Sequence, residues 1–317
     1  MSKISVHIVT FNSEGDIARC LDAVLRQSHS PEQIIIIDNA STDRTCERIV
    51  PFLDQVQLVC NSENIGFAAA HNQALHLAPH DCSFHLVLNP DVILHPDYLH
   101  ELMQFARRHP KAGSLTGLLL SGSNSGKVDS AGLRINRGRR AFDRGQGEPA
   151  LSYSTPCEVF GVSGAAALYR RDMMEEISCE GQFFDEAFFA YKEDVDVAWR
   201  ARLAGWTAYC VPSANALHER GWKQGERGQR TLKIRRHSFE NRYRMMIKND
   251  KGIGFLIGLP YILLTELAQF GYLMVKEPEL FVSYIRILRD LPQLLRQRRT
   301  VQRLIKPEYG KIYSFFR

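Results

Sequence analysis

The sequence predicts a doubly wound α/β domain on a mostly parallel sheet, followed by a basic, apolar helical C-terminal extension. Three observations lead there. Short apolar, β-rich runs alternate with stretches of helical spacing from the N-terminus onward. One run, Ile34-Ile35-Ile36-Ile37, is apolar at every position, the pattern of a parallel strand covered on both faces. Small or acidic polar residues close each early run, where an open parallel sheet binds ligands.

Taken in order, Ser5–Phe11 reads as the first strand, and Ile17, Leu21, Val24 and Leu25 follow at helical spacing. Gln33–Asp38 is the second strand, and Ser41 or Thr42 is placed to cap the next helix. Gln57–Cys60 is a third strand, Gly66–Leu77 a helix and Phe84–Asn89 a fourth strand. Pro96–Arg108 reads as a helix with proline in its first turn. Segment 121–150 is dominated by Gly, Ser, Asn and Arg and reads as a mobile loop. Phe160–Tyr169 is a further strand, and Glu193–Leu203 a helix ended by Gly205. There is no internal repeat.

With 317 residues the chain holds one large domain or two smaller ones. Its 44% hydrophobic and 24% charged residues exclude disordered and fibrous classes. The net charge of +5 conceals a division. Residues 1–219 carry 19 basic and 27 acidic side chains, whereas 220–317 carry 21 basic and 8 acidic. A polyanionic partner is therefore expected for the C-terminal part alone. The 7 cysteines form no CxxC pair, which fits a reducing cytosol better than a disulfide framework or zinc cluster. The apolar run Ile4–Phe11 contains His7 and leads straight into polar residues, so no signal peptide is expected.

Four strand endings converge on one expected crevice: Thr10-Phe11-Asn12, Asp38-Asn39-Ala40-Ser41, Asn61 with Asn64-Ile65-Gly66, and Asn89-Pro90-Asp91. Each alone is ordinary turn chemistry; four on one edge point to a ligand site. Asn12-Ser-Glu-Gly-Asp after the first strand is not a GxGxxG dinucleotide loop. Gly122 to Val128 has the wrong spacing for a P-loop, and Gly161-Val-Ser163-Gly164 is not a hydrolase elbow. A nucleotide held without those loops calls for a divalent metal on a carboxylate, with Asp91 the best-placed acid.

Glu193-Asp194-Val195-Asp196 opens a helix, where acids complement the dipole; a carboxylate there could equally serve as a general base. His218 follows a β-like run and is either structural or a metal ligand.

Together these pieces resemble family 2 glycosyltransferases with the GT-A fold, in particular the bacterial rhamnosyltransferase-like enzymes of cell-surface polysaccharide assembly. The resemblance rests on Val9-Thr-Phe-Asn12, Ile37-Asp38-Asn-Ala-Ser-Thr-Asp43, Asn64-Ile-Gly-Phe67 with Asn72, Leu88-Asn-Pro-Asp91, Gly161-Val-Ser-Gly-Ala165, Phe184-Asp185-Glu-Ala-Phe-Phe189, Glu193-Asp194-Val-Asp196 and His218, in the family's order across about residues 4–220. It implies a catalytic domain over 1–220, with a nucleotide-sugar half to about residue 120 and an acceptor half after it.

The resemblance also implies roles. Thr10, Asn12, Asn64, Gly66, Asn72 and Asn89 belong to the nucleotide side, and Asp38 accepts a hydrogen bond from the pyrimidine base. Asp91 binds Mg²⁺ or Mn²⁺, with His218 as a further metal or diphosphate contact. Asn89 replaces the first acid of the family's DxD motif, leaving fewer anionic ligands. Asp194 is the base with Glu193 beside it, and Gly164 and Trp222 face the acceptor. The implied reaction is an inverting transfer from a nucleotide-diphosphate sugar, dTDP-rhamnose first and a UDP-sugar otherwise, to a glycan or a polyprenyl-diphosphate-linked acceptor. A sugar nucleotidyltransferase is the alternative enzyme, although the Gly-rich basic loop it wants after the first strand is missing. An inactive sugar-nucleotide-binding scaffold at the membrane is the alternative without catalysis.

Ile253–Val275 is 23 residues long, near the ~20 that span a bilayer, but it contains Pro260, Glu266 and Gln269 and has basic blocks on both sides. Helices lying on the inner leaflet are therefore expected, with Leu291, Leu294 and Leu295 beside Arg286, Arg289, Arg296, Arg298, Arg299 and Arg303 as an interfacial helix. A plain helical core or a surface pairing two copies is the other reading. Nucleic acid is not expected, since no recognised motif accompanies the charge. The expected location is cytoplasmic, peripheral on the inner face of the cell membrane. The basic run Arg134–Arg144 either meets an acceptor diphosphate or is a solvated loop.

Overall fold

The computed structural model describes residues 2–122, 124–220 and 231–317. Its first half alternates strand and helix: β1 (Lys3–Thr10), α1 (Ile17–Leu25), β2 (Gln33–Asp38), α2 (Thr45–Ile49), β3 (Gln57–Cys60), α3 (Phe67–Leu77), β4 (Cys82–Leu88), a short β5 (Val92–Leu94) and α4 (Tyr98–Arg108). Then come β6 (Ala112–Ser121), β7 (Asn124–Ser130), β8 (Leu133–Ile135), β9 (Ala141–Asp143), β10 (Cys157–Val159), β11 (Ala166–Arg170), α5 (Arg171–Ile177), α6 (Glu193–Leu203) and β12 (Thr207–His218). Helices α7 (Leu232–Asn249), α8 (Gly252–Lys276) and α9 (Val282–Arg303) follow.

The main sheet runs β10-β12-β6-β11-β4-β1-β2-β3, with β5 added to β12 and β7 to β6. β1 lies parallel to β2 and β4, while β11 enters antiparallel between β4 and β6. The four isoleucines of β2 explain why the sheet needs cover on both faces. Ile34 and Ile36 pack in the core containing Ile17 and Leu21 of α1, and Ile35 and Ile37 meet Ala70 and Ala74 of α3. Burying each such side chain is worth about 1.5–3 kcal/mol. The β1–β2 ladder ends with Thr10 opposite Asp38, joined by a side-chain hydrogen bond.

Several elements differ from the sequence reading. α4 begins at Tyr98, and Pro96 sits in the turn before it, where the His95 carbonyl accepts the Tyr98 N–H. Asp43, not Ser41 or Thr42, caps α2 by accepting the Thr45 N–H at 3.0 Å; Ser41 and Thr42 are engaged by Asp38 and Asn12. The run 160–169 divides: only Ala166 onward is strand, while Gly161 makes an isolated bridge to Leu133 and Gly164 and Ala165 form a turn.

The expected mobile loop at 121–150 is built structure. β7 pairs with β6, and β8 and β9 form a hairpin, with left-handed Gly132, Gly145 and Gly147 supplying the turns. Arg139 at its tip is buried and paired with Asp250 at 2.8 Å. Glycine-rich composition marks turns as readily as mobility, and the contact that orders this tip lies more than a hundred residues away.

The C-terminal helices share core with the sheet domain. Trp199 of α6 packs among Phe160, Met245, Val301 and Phe316. Behind α6, Lys248 of α7 donates to Asp185 at 2.5 Å and to Asp196 at 3.1 Å, while Arg200 holds Asp196 at 2.9 Å. Burial alone would raise the Asp196 carboxyl; Lys248 and Arg200 outweigh it and hold it below the ordinary range. Breaking a buried pair on one side leaves charge uncompensated. Lys248→Ala is therefore expected to lower unfolding free energy by about 3–5 kcal/mol in urea titration, because Asp185 loses its cation while Asp196 is left with Arg200.

Candidate active site

The carboxyl ends of β1, β2 and β4 open into a cleft of about 660 Å³. Its walls include nine of the residues singled out in the sequence: Asn12, Asn64, Gly66, Asn89, Asp91, Gly164, Glu193, Asp194 and His218. Thr10 and Asp38 lie beneath that wall, nearly fully buried. Thr10 Oγ1 donates to Asp38 Oδ1 at 2.7 Å, and Ser41 supplies N–H and O–H to the same carboxylate at 2.9 and 2.6 Å. The exposed neighbours at the cleft surface are Phe11 and Asn12, with buried Asn39 behind them.

Asn72 departs from its expected place on the nucleotide side. Its amide is buried against the Phe184–Glu186 turn, donating to the Phe184 carbonyl at 2.8 Å and accepting the Phe184 N–H at 3.0 Å. It is a clamp on the segment that leads to α6. Trp222 lies outside the described residues.

One wall is made by a tight approach at Gly66. Asn64 Oδ1 accepts the Gly66 N–H at 2.9 Å, and Asn39 Nδ2 donates to the Gly66 carbonyl at 3.2 Å. Gly66 sits at φ 91°, and a Cβ there would lie 2.6 Å from the Phe189 ring and 2.7 Å from its carbonyl oxygen. Phe189, Tyr191 and Lys192 also take left-handed φ values of 58°, 72° and 70°. Such residues cost about 1–3 kcal/mol each and persist only where the surroundings hold them. Here Asn241 of α7 holds them, its Nδ2 reaching the carbonyls of Phe188, Ala190 and Tyr191 at 2.8, 3.0 and 2.8 Å. Lys192 Nζ donates to the Ser238 carbonyl at 2.5 Å.

This turn aims the first residues of α6 into the cleft. Asp194 Oδ2 accepts the Gly164 N–H at 3.1 Å and Oδ1 the Val195 N–H at 2.8 Å. Glu193 Oε2 is buried with no hydrogen-bond partner. Burial raises both carboxyls above their ordinary ranges, and the Asp194 charge raises Glu193 further. The Gly164 and Val195 amides pull Asp194 back. Two neighbouring carboxyls of unequal environment are thus poised to hold and release protons.

The same cleft is lined by Asp91 and His218. Asp91 Oδ1 is buried, makes no hydrogen bond and lies 3.3 Å from His218 Nε2. His218 Nδ1 meets Asp129 Oδ2 at 2.7 Å, and Arg220 bridges Asp129 to Asp143 at 2.7 Å on each side. Burial pulls the imidazole down, but the Asp129 and Asp91 carboxylates outweigh it and carry its pKa up to about 9. Asp91 Oδ1 and, once a cation displaces its proton, His218 Nε2 would be a fitting pair of donors for a divalent cation, the ring being oriented by Asp129. Among the described residues no cluster of three or more protein donors occurs, so diphosphate and water oxygens would complete the shell, as is usual for Mg²⁺.

Asp129, Asp143, Arg220 and Asn241 escape a sequence reading. Each acts through partners tens of residues away, and none stands in a local pattern. Gly66 was visible as the residue opening a helix.

Comparison with known proteins agrees with this geometry. The sequence profile of "Glycosyl transferase family 2" matches residues 5–178. N-acetylglucosaminyl-diphospho-decaprenol L-rhamnosyltransferase of Mycobacterium tuberculosis is 28% identical over 242 residues, covering 70% of this chain and 78% of its own. Poly-beta-1,6-N-acetyl-D-glucosamine synthase of Staphylococcus aureus is 24% identical over 216 residues, 67% of this chain; the match spans 48% of the synthase. Among solved structures, S. aureus TarS 1–349 in complex with UDP superposes with a TM-score of 0.58 at 16% identity, covering 99% of this chain and 87% of that one. The Pyrobaculum calidifontis mannosyltransferase PcManGT with GDP-Man and Mn²⁺ gives 0.57 at 18% identity, covering 99% and 84%. GalNAc-T7 with UDP, GalNAc and Mn²⁺ gives 0.61 at 14% identity over 78% of this chain, which spans 48% of that larger one. These likenesses identify the GT-A fold.

Gly66→Ala is expected to cost about 1–3 kcal/mol through overpacking against Phe189. A lowered Tm, with the helical circular dichroism retained below it, is the measurement that checks it.

Proposed function

The chain belongs to glycosyl transferase family 2, and on that premise we propose that it is an inverting, metal-dependent sugar transferase acting on a lipid-linked acceptor at a membrane surface. The observation that carries this reading is that one cleft is lined both by Asp91 and His218 and by Glu193 and Asp194.

Asn12, Asn39, Asn64 and Asn89 line the part of the cleft assigned to the nucleotide. Asp38 would accept from a pyrimidine base in place of the Ser41 hydroxyl that now donates to it. Asp91 and His218 would hold Mg²⁺ or Mn²⁺, which when bound supplies positive charge against the diphosphate leaving group. Ionised Asp194 takes the proton of an acceptor hydroxyl while that oxygen attacks the anomeric carbon. The sugar–phosphate bond breaks on the opposite face, so a single displacement inverts the anomeric centre and leaves a nucleoside diphosphate. Gly164 fixes the base through its N–H. The donor proposed first is dTDP-rhamnose, because the M. tuberculosis relative is a rhamnosyltransferase; UDP-sugars come next.

The membrane part of the proposal rests on α8 and α9. Among the described residues α8 is the helix long and apolar enough to cross a bilayer, with mean hydropathy 1.3 over Gly254–Lys276. Its mid-helix Glu266 instead bonds Arg242 and Tyr243 of α7, and Leu267 and Val275 stay 70% and 76% exposed. α9 exposes Ile285, Leu288 and Leu295 alongside Arg289, Arg296 and Arg299. A helix packed sideways on its own protein, with apolar and basic groups outward, suits the surface of an anionic inner leaflet.

Two experiments test the cleft. Asp194→Asn is expected to reduce kcat by about 10²–10⁴-fold in a donor panel of dTDP-, UDP- and GDP-sugars, with nucleotide affinity kept. Because the active form of Asp194 is ionised and burial raises its pKa, wild-type kcat/KM should fall with acidification from above the ordinary aspartate range. Full turnover in the Asn variant would remove Asp194 from the base role. Asp91→Ala should abolish the gain in nucleoside-diphosphate affinity that Mn²⁺ gives the wild type by calorimetry; equal affinities with and without Mn²⁺ in both proteins would sink the metal assignment.

A further inference from the structure

A second cavity, of about 750 Å³, opens off the cleft between the β8–β9 hairpin and helices α7 and α8. The two share Ala141, Phe142, Lys192 and Ser238, so the second begins where the Asp194 wall ends. Its lining changes character along its length. Next to the cleft stands Lys192. Then comes Arg140, exposed, with its guanidinium 5.6 Å over the Phe142 ring. The far end is made by Leu264, Ala268 and Tyr272 of α8, where Leu264 is 66% exposed and continues into Leu263 and Leu267. The other guanidinium of the groove, Arg242, is already neutralised by Glu266 at 2.5 Å. Among the described residues no carboxylate lies within ion-pair distance of Arg140. A cation held on an aromatic face and left without a counter-ion is a ready anion site.

We propose that this groove binds the acceptor as an amphiphile: a lipid carrying a sugar through a diphosphate. The saccharide lies in the cleft at Asp194, the diphosphate against Arg140 with Lys192, and the hydrocarbon chain along the exposed face of α8. Three facts favour this occupant. The order of surfaces, carboxylate then cation then apolar helix, matches the order of groups along such a molecule. The apolar end is continuous with the surface proposed to lie on the bilayer, so the chain need not leave lipid to deliver its head. Phe142 also separates this groove from a neighbouring cavity on its other side, where Arg134 stacks at 5.3 Å; that cavity leads to Phe315 and Arg317 rather than to α8. The groove assignment deepens the lipid-acceptor reading above and rests on it for the transfer step, but not for binding.

Binding of farnesyl diphosphate to the full-length protein in EDTA, where metal-assisted binding in the cleft is suppressed, tests the groove by itself. Arg140→Glu and Leu264→Glu should each weaken it about tenfold or more, the loss of one charge-assisted contact or of apolar cover. Arg140→Lys should restore part of the affinity, and Arg134→Glu should leave it within about twofold. Wild-type affinity in Arg140→Glu, or an equal loss in Arg134→Glu, overturns the assignment. In a second arm, Arg140→Glu should lower kcat/KM for a glycosyl-diphosphate lipid but not for the same sugar as a short alkyl glycoside, with donor hydrolysis unchanged. Absence of transfer by the wild type to either acceptor, with the farnesyl diphosphate pattern intact, refutes the lipid-acceptor function and leaves the groove standing.

Discussion

Asp185, Asp196, Arg200 and Lys248 meet in the interior behind α6, each at most 5% exposed in its side chain. Paired charges in that position are weak evidence for added stability. What they supply is direction: the carboxylate of Asp196 is reached at once by its own helix through Arg200 and by α7 through Lys248 and Asn249. Sliding or rotating α6 by one residue would strand a buried charge. Glu193 and Asp194, in the same first turn of α6 as Asp196, inherit that fixed orientation.

The same helix α7 governs the turn in front of α6. Asn241 collects three carbonyls from a segment in which three non-glycine residues stand at positive φ. Strain of this kind is stored where surrounding bonds over-determine it. Gly66 makes room for the turn from the opposite wall. The Asn64–Gly66 wall and the turn that precedes α6 are therefore in direct contact at Gly66 and Phe189, and a change at either is felt by both.

Much of the architecture is legible in local pattern. The β2 isoleucines announce two covered faces, and the order of strands and helices to Arg108 follows from period and turn chemistry. The strand-end asparagines and Asp91 are legible because the topology brings every parallel carboxyl end to one edge. Asn72 shows the limit: Gly66 and Phe67 at the start of α3 line the cleft, but Asn72 sits further along on the face turned to Phe184, which only packing decides. Segment 121–150 misleads for a related reason. Its glycines serve a hairpin whose tip is ordered by Asp250, and no window of sequence holds both ends of that bond. The His218–Asp129–Arg220–Asp143 chain is hidden likewise, four residues drawn from three strands and the segment after β12.

The dependence of α6 on α7 bears on how the chain can be divided. A version ending after β12 would keep all nine cleft-lining groups named above and still lack Lys248, Asn249 and Asn241. Its acids would be present without the scaffold that points them. Chimaeras that exchange tails between relatives must therefore carry the partners of Asp196 with the tail, because α6 and α7 are joined as one mechanical unit.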